Sequence, residues 1–208
     1  RFWSRLHGLQ VTEPKRSMAL KAVDSILELV GNTPVVRLRS VVPEGAADVF
    51  VKLEYFNPGL SVKDRPALGM ILDAEERGLL KPGSTIIEPT AGNTGIGLAL
   101  VGIARGYRVI LCVPQGFAEE KMKLIEALGG EIEYVSHDRG MKGAIERCKE
   151  LSAQSEQCFI PQQFENQANP CFHELTTAAE IIEQMEGRID AVVIGAGTSG
   201  TFCGVARA

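Results

Sequence analysis

From residue 84 onward, short apolar runs alternate with segments of helical period, and that alternation admits few folds. The runs at 85–87, 108–113, 132–135 and 158–160 are separated by helix-like stretches at 94–105, 119–128 and 141–152. A further helical stretch at 173–185 precedes an apolar run at 191–194, after which a glycine loop opens another helix. Because the runs are continuously apolar, both faces of their strands are expected to be buried. Strands and helices in turn, joined by short loops, imply an α/β fold with a parallel sheet, right-handed crossovers and helices on both faces. Upstream, 35–38 and 49–53 read as further strands flanking a Pro43-Glu44-Gly45 turn. The polar stretch 162–169, aperiodic and followed by Pro170, reads as a crossing between two lobes.

With 208 residues, 45% hydrophobic and 23% charged, the chain has the balance of a soluble globular protein with a sizeable core. A net charge of −4 argues against nucleic-acid and anionic-membrane partners. No apolar run approaches the roughly 20 residues of a membrane span. The cysteines (112, 148, 158, 171 and 203) form no C-x-x-C and mostly fall in apolar or helical patterns. That is the usage of reduced thiols, hence a cytoplasmic expectation. His7, His137 and His173 are scattered, so no metal site is assigned. Residues 1–17 read as an extension, either a transit segment or a remnant ahead of a start at Met18. Ala208 falls only a turn or two into the last helix, which reads as a C-terminal truncation.

Three segments carry chemistry. In Asn57-Pro58-Gly59-Leu60-Ser61-Val62-Lys63-Asp64-Arg65, Ser61 and Asp64 form a capping-box-like pair ahead of an apolar helical run. Lys63 then lies in the first turn, where the positive end of the helix dipole disfavours a cation by roughly 0.3–1 kcal/mol. A lysine so placed has a lowered pKa and suits Schiff-base chemistry, although a lysine taken alone is a solvated surface residue. The loop Glu88-Pro89-Thr90-Ala91-Gly92-Asn93-Thr94-Gly95-Ile96-Gly97 lies between a buried strand and a helix. Its glycines, N–H groups and the hydroxyl and amide side chains of Thr90, Asn93 and Thr94 make an anion site richer than a plain turn requires. The loop Gly195-Ala196-Gly197-Thr198-Ser199-Gly200-Thr201 matches G-x-G-x-x-G in strand–loop–helix context. Its hydroxyls suit a terminal phosphate monoester better than a bridging pyrophosphate. A helix-start lysine, an anion loop and a phosphate cradle together fit pyridoxal phosphate with an amino-acid carboxylate beside it.

On these motifs, with Leu29-Val30-Gly31-Asn32-Thr33-Pro34 and Gln163-Phe164-Glu165-Asn166 added, the chain resembles the cysteine synthase/cystathionine β-synthase family from about Ser25 to Ala208. The resemblance implies a two-lobed, fold type II pyridoxal-phosphate enzyme. Its small lobe would be 57–164 and its incomplete large lobe 18–56 with 165–208. It further implies that Lys63 joins the cofactor and serves as the catalytic base, that Asn93 bonds the phenolic oxygen, and that Gly197, Thr198, Ser199, Gly200 and Thr201 cradle the phosphate. Thr90, Ala91, Gly92, Thr94 and Gln163 would hold the substrate carboxylate. The implied reaction is β-replacement on O-acetylserine or serine, by sulfide or homocysteine, through an aminoacrylate. A homodimer is implied, with a serine acetyltransferase as a possible partner.

Several positions depart from the family pattern. Leu60 replaces a small residue, Pro66 stands in the helix's first turn, Ala91 replaces a serine and Ser199 replaces a glycine. The later strands, with the serine that meets the pyridine nitrogen, are absent, and no haem-ligand cysteine precedes the core. Glu88-Pro89-Thr90-Ala91 and residues 139–145 resemble the O-acetylserine-using cystathionine β-synthase side, with plain cysteine synthase close behind. Two other classes stay open: a nicotinamide-dependent dehydrogenase, which explains only the G-x-G-x-x-G loop, and a truncated binding module or pseudoenzyme.

Overall fold

A computed structural model describes residues 22–208 apart from Ala118 and Glu156; the expectations for residues 1–17 lie outside it. Two strands, β1 (Val35–Arg37) and β2 (Phe50–Lys52), pair antiparallel with Val35 opposite Lys52. The main sheet contains β3 (Thr85–Pro89), β4 (Arg108–Pro114), β5 (Glu131–Val135) and β6 (Cys158–Phe159) in the order β5-β4-β3-β6, all parallel. The helices between them are α1 (Asp64–Glu76), α2 (Asn93–Ala104), α3 (Glu119–Ala127) and α4 (Gly140–Ala153).

The apolar runs divide by strand period. Ile86, Val109, Leu111 and Val113 join Ala67, Met70 and Ile71 of α1 and Leu98 and Val101 of α2 in one core. Ile87, Ile110 and Cys112 meet Ala144 and Cys148 of α4 in a second. Successive side chains point to opposite faces, so a strand covered on both must be apolar throughout. Burial on both faces holds for β3 and β4 but not for β5, which as an edge strand leaves Tyr134 exposed.

Two expectations are corrected. The run at 191–194 forms no strand: no ladder partner lies beside it among the described residues, and Val193 is 98% exposed. The segment 162–169 is not linker to its end, because a helix starts five residues earlier than expected. This helical run consists of α5 (Ala168–His173), a π-helical segment (Glu174–Ala178) and α6 (Ala179–Gln184). Pro170 falls in the first turn, where a missing N–H costs nothing. The chain ends in α7 (Gly200–Arg207).

The capping box at α1 does not form as the spacing suggested. Ser61 Oγ accepts from the Lys63 N–H at 3.2 Å, while Asp64 turns back to the Gly59 N–H at 2.5 Å. Lys63 becomes the cap residue and Asp64 the first helical one. Burial pushes the Asp64 carboxyl up to about 6, against the pull of that single N–H bond and with a small push from Glu54. Leu60, one of the departures from the family pattern, sits at φ +63°. A left-handed backbone costs a non-glycine residue roughly 1–2 kcal/mol.

Arg65 ties the first turn of this helix to two distant segments. Its side chain is fully buried and forks onto two carboxylates, Glu54 at 2.8 and 2.9 Å and Glu180 at 2.7 and 2.8 Å. Thr33 Oγ1 takes a further bond at 3.1 Å, and Lys52 reaches Glu180 at 2.7 Å. Burial alone would raise the Glu180 carboxyl. The bonds from Arg65, Lys52 and the Asn32 N–H outweigh it and hold the group at about 2.

Removing the guanidinium leaves two carboxylates short of a partner. Arg65→Met should therefore lose about 3 kcal/mol of unfolding free energy in urea, and adding Glu180→Gln should restore part of it. Because the Glu180 pKa is depressed, its stabilisation is complete above the ordinary value of 4.5 and is lost as pH falls toward about 2. Unfolding midpoints measured from pH 5 to pH 2 should show a shallower acid decline in Glu180→Gln than in the parent.

Candidate active site

β3 lies at the point where the sheet order reverses, with β4 on one side and β6 on the other. In open parallel sheets the crevice beyond the carboxyl ends of such strands is the natural ligand position. Here the loop after β3 and the segment after β6 line a cleft of about 380 Å³. Thr90, Ala91, Gly92, Gln163 and Phe164 form its walls, with Lys121 of α3 at one side.

Gln163 ties these walls together. Its side-chain Oε1 accepts from Thr94 Oγ1 at 2.6 Å, at the start of α2. Its N–H donates to Glu88 Oε1 at 3.2 Å, and the neighbouring Gln162 N–H donates to Glu88 Oε2 at 2.9 Å. Glu88 is a carboxylate inside a buried strand, 2% exposed. Burial raises its pKa, and the two N–H bonds work against that rise.

The carbonyl of Gln163 accepts from Asn169 Nδ2 at 2.9 Å, and the same nitrogen lies 3.1 Å from Thr198 Oγ1. Thr94, Gln163, Asn169 and Thr198 thus form one hydrogen-bonded series from the loop after β3 to the glycine loop before α7. The segment that reads in sequence as a bare crossing joins the two loops.

Around Thr198 the glycine loop stays open. A Cβ built on Gly195 or Gly197 meets nothing within 4 Å, whereas one on Gly200 would fall 2.0 Å from Asn169 Oδ1. The N–H groups of Gly197, Thr198 and Ser199 have no partner among the described residues. Ser199 lies at φ +63°, the conformation that explains a glycine at this place in the family pattern. Thr201 Oγ1 stands 3.2 Å from Nε2 of His173, a buried residue.

Lys63 is placed by main-chain packing. A Cβ on Gly97 of α2 would lie 2.9 Å from the Lys63 carbonyl oxygen, so only glycine lets the two helices approach this closely. Gly97 is one turn beyond Asn93 and Thr94, which puts the lysine's backbone beside the asparagine loop. The Lys63 pKa is lowered, as the sequence suggested, and burial lowers it. Among the described residues Lys63 Nζ makes no hydrogen bond, and the residue does not line the cleft. Asn93 is exposed at the first position of α2.

Of the expected site residues, Thr90, Ala91, Gly92 and Gln163 share one cleft, and Thr94 and Thr198 are bonded into its wall. Gly197 and Ser199 border the open cradle without side-chain contacts to the rest. Glu88, Asn169 and His173 had no role assigned from sequence. Glu88 carries a signal that could have found it, an acid at the end of a buried apolar strand. Asn169 and His173 carry none, since only the fold brings α5 under the cradle.

Residues 26–208 match the family model described as pyridoxal-phosphate dependent enzyme. A cysteine synthase of Staphylococcus aureus is 53% identical over 191 residues, which are 91% of this chain and 61% of that protein. The crystal structure of an O-ureido-L-serine synthase superposes with a TM-score of 0.86 at 47% identity, covering 90% of this chain and 59% of that one. An O-acetylserine dependent cystathionine β-synthase from Helicobacter pylori gives 0.83 at 37% identity, covering 90% and 62%. The chain therefore spans about three fifths of the length of these relatives and shares their α/β fold. It belongs to the pyridoxal-phosphate dependent enzyme family.

Proposed function

We propose that this chain carries the lysine, carboxylate and phosphate sites of an enzyme of β-replacement. The first substrate would be O-acetylserine or serine, the nucleophile sulfide or homocysteine, and the product cysteine or cystathionine. The observation that carries this reading is the series Thr94–Gln163–Asn169–Thr198, which joins a carboxylate-type loop to a phosphate-type cradle. The small lobe would be residues 57–164, with the described part of 18–56 and 165–208 belonging to the large one. Five free cysteines suit a reducing compartment.

The donor set fits pyridoxal phosphate. The open glycines, three N–H groups without partners among the described residues and the hydroxyls of Thr198, Ser199 and Thr201 suit a phosphate at the start of α7. Lys63 would hold the aldehyde end and Asn93 the phenolic oxygen. When bound, the cofactor draws electrons from the substrate's α-carbon. The work of the chain's own residues is positional and acid–base. The Thr90–Gly92 loop, with Thr94 and Gln163, fixes the carboxylate and so aims the α-hydrogen at Lys63. Burial keeps more of the Lys63 amine neutral than in water, and Nζ takes and later holds that proton.

The closeness of the Helicobacter pylori structure keeps cystathionine formation as a second reading. Rates with sulfide and with homocysteine, measured on the full-length protein, separate the two.

Lys63→Ala should abolish turnover, and borohydride treatment of the parent should fix the cofactor to the peptide containing Lys63; a label on another lysine removes Lys63 from the mechanism. Glu88→Gln keeps one acceptor where two N–H groups need one each, so KM for the amino acid should rise about tenfold with kcat little changed. Burial shifts Glu88 upward, so the parent's KM should begin to rise on the acid side at a pH above the ordinary glutamate range. Glu88→Gln should lose that dependence, and a pH profile of KM identical in both proteins would exclude the role.

A further inference from the structure

Asn169 and His173 lie four residues apart on one face of α5, and each meets a hydroxyl of the cradle. α7 is pressed against that face: a Cβ on Gly204 would fall 2.6 Å from His173 Cβ, and one on Gly200 would meet the Asn169 amide. The chemistry of the partners decides which way the hydrogens point. The Gln163 carbonyl can only accept, so the Asn169 amide must turn its nitrogen toward it. The same NH2 group then donates to Thr198 Oγ1, which also receives the Gly200 N–H at 3.4 Å. A hydroxyl has two acceptor sites and one hydrogen, so Thr198 is left with its hydrogen to give elsewhere. This orientation leaves Asn169 Oδ1 buried without a partner among the described residues, a loss that the fold accepts in return for the donor.

His173 repeats the arrangement. Its Nδ1 lies 2.8 Å from Thr177 Oγ1 and its Nε2 3.2 Å from Thr201 Oγ1. Burial first, and then Arg65, push its pKa down to about 4; Lys63 adds to this and Glu54 opposes it. The ring is therefore neutral, with one donor and one acceptor. With the hydrogen on Nε2, Nδ1 accepts from Thr177 and the Thr201 hydroxyl is freed to donate.

We propose that Asn169 and His173 are positioning residues: each donates an N–H to a cradle threonine, committing the hydroxyl hydrogens of Thr198 and Thr201 to the bound anion. Both hydroxyls then act on the bound anion as donors. The inference rests on the reading that this loop holds the phosphate of pyridoxal phosphate.

The test compares pyridoxal phosphate with pyridoxal, which lacks the phosphate, on the cofactor-stripped full-length protein. His173→Leu should weaken pyridoxal phosphate binding about tenfold and leave pyridoxal binding unchanged, and His173→Gln, which keeps an N–H near Nε2, should recover most of the loss. Equal losses for both ligands, or no recovery in His173→Gln, would overturn the proposal. If the unaltered protein bound pyridoxal as tightly as pyridoxal phosphate, the cofactor reading itself would fall and the proposal with it.

Discussion

A guanidinium fully removed from water must find carboxylates, and Arg65 finds two of them on separate stretches of chain. Glu54 comes from the segment after β2, and Glu180 from α6, more than a hundred residues later. The cost of leaving any member unpaired far exceeds the worth of an exposed ion pair, so the network tolerates few alternative arrangements. Lys63 is two residues from this knot. Its place in the fold follows from the electrostatics of a neighbour more than from any contact of its own side chain.

α5 and the π-helical turn after it make a second fixed point. Phe172 packs where Gly69 of α1 leaves no room for a side chain, and Gly200 and Gly204 of α7 close on the neighbouring face around Asn169 and His173. The π-helical turn coincides with the His173–Thr177 bond, a local irregularity of the kind often found where a helix serves a site. One short helix thereby touches the lysine-bearing element, the cradle and the segment lining the cleft.

The parallel sheet and its helices were legible because strand and helix periods dictate them and burial on both faces leaves a plain compositional trace. The helix-start lysine and the two loops that open α2 and α7 were legible for the same reason, as local signatures of backbone geometry. The run at 191–194 looked like a strand because it is apolar, yet a strand exists only with a neighbour, and pattern alone does not supply one. The start of α5 was missed because Asn-Pro punctuates loops as readily as first turns. Asn169, His173 and the Arg65 network depend on residues far apart in the chain, and no local pattern announces them. The departures at Leu60 and Ser199 become intelligible only through the backbone, since both occupy left-handed positions.

Gln163 is committed at three points at once: its N–H to Glu88, its carbonyl to Asn169 and its amide oxygen to Thr94. Two of those commitments belong to the main chain and would survive almost any replacement of the side chain. Evolution, or an engineer, can thus vary what position 163 presents to the cleft while the route of the polypeptide stays unchanged. Insertions or deletions between Pro161 and Asn169 have no such freedom, because a shift of one residue would detach the side chain that faces the cleft from the main-chain anchors beneath it.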